Sequence, residues 1–278
     1  MMRYLAQEEK VRSRALYEEM FGEDGQAFID AYYQYKGACN EILVLEEQGE
    51  LISMVHLNPY RFWMGGDPVD VSYVVAVATR PAYRGRGCMR RLLTKALGDL
   101  YEKRQPFTFL MPADEAIYMP FDFRPMKNED GAAWAKASVE RLREQFDLFV
   151  WKDEEYQRQH ISGVEWETTP MMVRIVHLPG LLEKIGADVD EPISVGIRIR
   201  DELLPGNAGV YNWVLEKEGS HLEQPGGEAE VTVSIAELGS FLFGAKRAAE
   251  VFADVPARTL AKLEKIRVFR KKFVNEVV

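Results

Sequence analysis

The chain has 278 residues, enough for two domains of ordinary size, and its 47% hydrophobic and 28% charged residues exclude disorder as the main state. Lysine and arginine total 35 against 44 aspartates and glutamates, a net charge of -9 that argues against non-specific nucleic-acid binding. Cys39 and Cys88 cannot build a disulfide framework, the four histidines (His56, His160, His177, His221) have no metal-ligand spacing, and no apolar run approaches the roughly 20 residues of a membrane helix.

The opening segment MMRYLAQEEKVRSR lacks the apolar run of a secretory signal, so a cytoplasmic protein is expected. Residues 8–22 and 26–36 have helical character, with Phe28, Tyr32 and Tyr35 at spacings of four and three. Three β-rich runs follow, Glu41–Glu46, Leu51–Tyr60 and Val69–Thr79, punctuated by Gln48-Gly49 and Gly65-Gly66-Asp67-Pro68. Cys88–Tyr101 puts Leu92, Leu93, Ala96, Leu97 and Leu100 on one helical face, and the strand Phe107–Met111 leads to a short helix around Tyr118.

Charged helical character runs from Gly131 to about Gln159, and Thr168-Thr169-Pro170 marks a boundary. Beyond it Val173–Val176 reads as a strand, Pro179–Ile185 as a helix, and Ile193–Ile199 alternates strictly. Gly206-Asn207 turns the chain into Val210–Leu215, Glu230–Ile235 alternates again, and helices at Ala236–Phe243 and Pro256–Glu264 precede an apolar Phe273–Val278. The expected class is α/β (α+β), with domains at 1–130 and 168–278 joined by a helical connector at 131–167.

The run Val74–Met89 carries the most chemistry. A strand enters the tight turn Arg84-Gly85-Arg86-Gly87-Cys88-Met89, and the turn opens a helix whose first amides have no intrahelical acceptor. Such a helix start is a cradle for pyrophosphate, with glycines permitting close backbone approach and Arg84 and Arg86 adding positive charge. A dinucleotide-binding turn would need a third glycine where Arg90 stands, and a P-loop would need Gly-Lys-Ser/Thr; neither is present.

The turn resembles motif A of the GNAT acyl-CoA-dependent N-acetyltransferases, and Met89-Arg90 after the glycines is similar to the enhanced-intracellular-survival (Eis-like) branch. The resemblance implies a GNAT fold with a mixed central sheet and acetyl-CoA as co-substrate, with no metal. By the same match Val77, Ala78 and Thr79 hold the pantetheine arm, and Arg84, Gly85, Arg86, Gly87, Cys88 and Met89 hold the pyrophosphate. Tyr118-Met119-Pro120-Phe121-Asp122-Phe123 resembles the family's Tyr-x-x-Phe-Gly-Phe segment, with Asp122 in place of glycine, and implies that Tyr118 is the general acid for the departing thiolate. In this branch the terminal carboxylate is drawn into the active site, which makes Val278 a candidate base and Glu276 the fallback.

Residues 171–278 resemble the sterol-carrier-protein-like domain that closes this branch, through Met172–Pro179, Val195–Asp201 and Asn207–Tyr211. Longer relatives carry a second, degenerate GNAT-like domain, of which 131–167 would be a remnant. His177 is expected to be structural, the aromatics Phe28, Tyr32, Tyr33, Tyr35, Phe62 and Trp63 to be core rather than an acceptor pocket, and the basic stretch Lys262–Lys272 to be a solvated helix face.

The expected function is acetyl transfer from acetyl-CoA to a primary amine by direct attack, the acceptor being a small molecule or a peptide, with no nucleic acid and no membrane as partner. Homo-oligomerisation stays open. The rival readings are a lipid-binding carrier and a CoA-sensing protein with an inactive acetyltransferase fold.

Overall fold

The computed structural model describes residues 1–128, 134, 137–154, 156, 170–224, 228–274 and 276. Two sheets organise them. The larger has nine strands: β1 (Met2–Tyr4), β2 (Glu41–Glu47), β3 (Glu50–Met64), β4 (Asp67–Thr79), β5 (Phe107–Leu110), β6 (Arg124–Met126), β7 (Leu148–Val150), β8 (Met171–Ile175) and β13 (Lys272–Phe273). Its main path runs β1-β2-β3-β4-β5-β8-β6, while β7 pairs with both β3 and β13. The smaller sheet holds β9 (Ile193–Arg200), β10 (Gly209–Leu215), β11 (Ser220–Glu223) and β12 (Val231–Ser234) in the order β11-β10-β9-β12. Both sheets are mixed: β4 with β5, β7 with β13 and β9 with β12 run parallel, and the other pairs antiparallel.

The helices cover the larger sheet on both faces. The stripe Cys88, Leu92, Leu93, Ala96, Leu97 and Leu100 on α3 (Cys88–Glu102) is buried in the main core, as its 3.6-residue periodicity requires. On the opposite face α1 (Arg14–Phe21) and α2 (Gln26–Tyr35) bury Leu16, Tyr17, Ile29 and Tyr32 against Ile42, Val44 and Met54. Strands β3 and β4 outrun their expected ends because Gly65 and Gly66, at φ 58° and 96°, close a two-residue hairpin.

The two halves of the chain are interleaved. Met171–Ile175, grouped by sequence with the second domain, pairs with β5 and β6 inside the first sheet, where its five buried residues find two partners. Lys272–Phe273 returns to the same sheet beside β7. The basic stretch is not one helix face: the helix Ala257–Leu263 stops at Leu263, and Lys272 is buried, its Nζ donating to the carbonyls of Phe269 and Arg270 at 3.0 Å each. His177 is structural as expected, its Nδ1 accepting the Gly180 N–H at 3.0 Å to cap the helix Leu178–Leu182.

Candidate active site

The site begins with a flaw in β4. Ala76 has φ 49°, a left-handed conformation unusual for a residue with a side chain, and the β3–β4 register slips between Met54 and His56. A bulge of this kind bends the strand and re-aims the residues after it. On its other side β4 meets β5 at only two pairs, Ser72↔Thr108 and Tyr73↔Phe109, and beyond them the parallel strands share no ladder pair. The end of β4, from Val74 to Thr79, therefore borders a wedge rather than a neighbouring strand.

The wedge opens into a cleft of about 560 Å³ lined by Val77, Ala78, Thr79, Arg84, Gly85, Gly87, Cys88 and Met89, with Met20, Phe21, Ile117, Pro120 and Phe121 completing its apolar walls. Gly85 and Gly87 take φ 75° and 73°, and Gly87 is the left-handed N-cap of α3. The first bond of that helix runs from Arg91 N–H to the Gly87 carbonyl at 3.1 Å, so the amides just before Arg91 have no intrahelical acceptor. A Cβ at Gly85 or Gly87 would meet nothing within 4 Å, so the turn is open to solvent at both glycines. Amides, a helix start and cationic neighbours together suit a pyrophosphate.

Of the residues expected at the cofactor, Arg86 stands apart from the lining: its guanidinium lies over the Tyr83 ring, 4.9 Å from the centroid. Arg84 folds back on the strand end and donates from Nε to the Thr79 carbonyl at 3.3 Å. Cys88 is buried with Sγ directed at the Tyr83 carbonyl, 3.7 Å away.

Tyr118 ends α4 (Glu115–Tyr118), is buried, and packs edge-on against Phe123 with ring centroids 6.1 Å apart. It does not line the cleft itself; its neighbours Ile117, Pro120 and Phe121 do. Burial raises the pKa of its phenol, which keeps the proton on the oxygen at neutral pH. Burial, and after it the neighbouring Glu276 and Tyr118, raise the pKa of Tyr73.

Tyr73 leads to a second cluster. Its hydroxyl donates to the Glu276 carbonyl at 3.2 Å, and the Tyr156 hydroxyl donates to the Glu276 carboxylate at 3.0 and 3.1 Å. Tyr60 accepts from Lys36 Nζ at 3.1 Å, and burial first and the nearby Glu276 carboxylate second raise its pKa. Glu276 is 3% exposed; burial raises its pKa, and Lys152, Tyr156 and Lys36 pull it back. Burial likewise lowers the pKa of Lys36. Val278 lies outside the described residues.

Lys36, Tyr60, Tyr73 and Tyr156 escaped the sequence reading, because they come from four separated segments with no common spacing. The aromatics weighed for an acceptor pocket divide: Tyr32 and Phe62 are buried core, while Trp63 stacks on Trp151 with centroids 5.2 Å apart.

Comparison with known proteins meets this geometry from outside. Residues 1–126 match the family model described as an acetyltransferase (GNAT) domain, and residues 178–271 match the sterol carrier protein domain. No curated protein matches the chain by sequence. Among solved structures, one from Enterococcus faecalis V583, titled "Probable N-Acyltransferase", aligns with TM-score 0.81 at 14% identity over 100% of both chains. A GCN5-related N-acetyltransferase from Anabaena variabilis ATCC 29413 aligns with TM-score 0.76 at 15% identity, and Eis1 from Mycobacterium abscessus with 0.69 at 16%, again over 100% of both chains in each case. At these identities the likeness concerns the fold. The family models carry the chemistry: the chain is an acetyl-CoA-dependent acyltransferase, with a GNAT acetyltransferase domain at its N-terminus and a sterol carrier protein domain toward its C-terminus.

Proposed function

We propose that this protein transfers the acetyl group of acetyl-CoA directly to a primary amine, with Tyr118 as general acid. The observation that carries the reading is the pairing of a glycine turn suited to pyrophosphate with a buried, protonated phenol beside the same cleft. Val77, Ala78 and Thr79 offer strand backbone to a pantetheine arm where β5 has diverged, and Gly85, Gly87, Cys88 and Met89 take the diphosphate, with Arg84 and Arg86 supplying charge.

In the reaction the neutral amine nitrogen bonds to the acetyl carbonyl carbon and the carbon–sulfur bond breaks. Tyr118 gives its proton to the thiolate, and a base takes the proton from the new ammonium. A phenol suits that task because its pKa, near 10 before burial, lies close to that of a thiol. For the base we retain the Val278 carboxylate, two residues after the buried Glu276, with Glu276 as fallback; its pKa, raised by burial, makes it a stronger base than an exposed carboxylate. An acyl-cysteine route has less support, since Cys88 sits at the phosphate turn with its sulfur turned to Tyr83.

The same reading divides the chain into a GNAT domain at 1–130, a connector at 131–167 and a sterol-carrier domain at 168–278 that lends Met171–Ile175 to the first sheet. A chain with only two cysteines, Cys39 and Cys88, accords with a cytoplasmic setting. The acceptor is a small molecule or peptide bearing a primary amine.

The test is thiol release from acetyl-CoA across a panel of polyamines, aminoglycosides and lysine peptides. Amine-dependent release is expected. Acetyl-CoA binding without turnover on any amine favours the sensor reading, and a retained apolar ligand without acetyl-CoA binding favours the lipid carrier.

A further inference from the structure

Arg174 is the one charged residue in Met171–Val176, an otherwise apolar run, and its side chain is completely enclosed. A buried guanidinium has to be paired on most of its donors. Here Nε donates to the Phe121 carbonyl at 3.1 Å, Nη2 donates to Asp201 Oδ1 at 2.8 Å, and Nη1 turns to the Ile175 carbonyl. Asp122 Oδ2 lies 3.7 Å from Nη2. Asp201 is itself fixed, accepting the Leu204 N–H and Asn207 Nδ2–H at 2.9 Å each.

One guanidinium thus joins three segments: the turn after Tyr118, strand β8, and the loop that follows β9 in the C-terminal sheet. The turn needs such an anchor. Helix α4 has only four residues; it is held at its start by Asp114, whose Oδ1 accepts the Ala116 N–H at 2.9 Å. At its far end Asp122 takes φ 64°, a conformation that glycine adopts without strain. An aspartate there is accounted for by the positive charge it faces. The Tyr118 hydroxyl has no hydrogen bond to another described residue, so its place depends on these two anchors and on the packing of its ring, including that against Phe123.

We propose that Arg174 is a positioning residue for Tyr118: it fastens the Phe121–Asp122 turn to Asp201, so that the sterol carrier domain sets the orientation of the phenol in the acetyltransferase domain. The proposal rests on the reading of Tyr118 as the general acid. Its consequence is that the second domain is needed for turnover more than for cofactor binding, because the glycine turn at residues 84–89 takes none of the hydrogen bonds of this joint, which meets the cleft through the Phe121 ring.

The test uses the full chain and four variants: Arg174→Lys, Asp122→Gly, Tyr118→Phe, and Arg174→Lys combined with Tyr118→Phe. Turnover is read as thiol release from acetyl-CoA with spermidine, with tobramycin and with water alone, and folding as Tm. Lysine keeps a charge for Asp201 but cannot also hold the Phe121 carbonyl, and glycine fits the φ of residue 122 with no Asp–Arg contact. Arg174→Lys is expected to lower kcat about tenfold, the scale of a slightly misplaced catalytic group, with the KM for acetyl-CoA within about twofold of wild type. Asp122→Gly is expected to lower kcat about threefold at an unlowered Tm. In the Tyr118→Phe background the lysine substitution should produce no further loss, because it acts through the missing hydroxyl.

Unchanged kcat in Arg174→Lys and Asp122→Gly, a loss carried by KM, or a loss that persists undiminished in the Tyr118→Phe background would each overturn the proposal while leaving Tyr118 as the acid. If Tyr118→Phe itself keeps wild-type kcat, the general-acid reading fails and the proposal fails with it. Should Arg174→Lys not fold, the same comparison is made with Asp122→Gly, alone and combined with Tyr118→Phe.

Discussion

The cleft beside the 84–89 turn and the Glu276 cluster are built in opposite ways. The cleft comes chiefly from one continuous run, Val77 to Met89, and works through backbone: a bulge at Ala76, two left-handed glycines and the open start of a helix. The Glu276 cluster draws Lys36, Tyr60, Tyr73 and Tyr156 from distant segments and works through side chains. Backbone sites built locally tolerate changes elsewhere in the fold, whereas an assembled side-chain site depends on every segment that enters it. Acetyl-CoA binding should therefore survive lesions that damage the second cluster.

The largest expected effect tests whether chemistry separates from binding at all. Tyr118→Phe should lower kcat by about 100-fold or more, the lower end for loss of a general acid, with acetyl-CoA affinity nearly intact by calorimetry. Equal turnover would remove Tyr118 from the mechanism. Next, Glu276→Ala leaves the Tyr60 and Tyr156 hydroxyls and Lys36 without their buried carboxylate, and should cost about 1–3 kcal/mol in urea unfolding. Acetyl-CoA affinity should hold in that variant; a parallel fall would mean that the two regions are one.

A third prediction extends the contrast to another assembled cluster, in which fully buried His56 bonds Tyr32 at 2.9 Å. Burial lowers the His56 pKa from 6.5 to about 3, so the folded protein keeps it neutral while the unfolded chain takes up a proton. The stability it contributes is present above pH 6.5 and is lost as pH falls toward 3, by up to about 1.4 kcal/mol per pH unit. His56→Gln should flatten that part of the stability–pH curve, and an unchanged slope would assign acid sensitivity to other groups. The smallest effect belongs to the local site: Gly87→Ala, forced to φ 73°, should lose about 1 kcal/mol of stability and weaken acetyl-CoA binding.

The same division explains what could be read in advance. The stripe on α3, the Gly65-Gly66 hairpin and the 84–89 turn were legible because each is a short-range pattern with a backbone cause. Asp122 was legible as a departure from glycine, but its counter-charge was not, since Arg174 lies 52 residues away on a strand assigned to the other domain. A lone arginine in Met171–Val176 was the available signal, as a charge in an apolar strand implies a buried partner. The basic stretch misled for a related reason: its pattern says nothing of Lys272 turning inward onto the carbonyls of Phe269 and Arg270.

By itself the sequence determined the local elements, the glycine turn at residues 84–89 and the short helix that ends at Tyr118, all products of neighbouring residues and the periodicity of the backbone. Only the tertiary structure decided that Met171–Ile175 joins the first sheet, that Glu276 is buried among three tyrosines and that Arg174 bridges to Asp201. Those outcomes depend on which distant surfaces exclude water together, and on the need of each charge so enclosed for a partner that no local spacing announces.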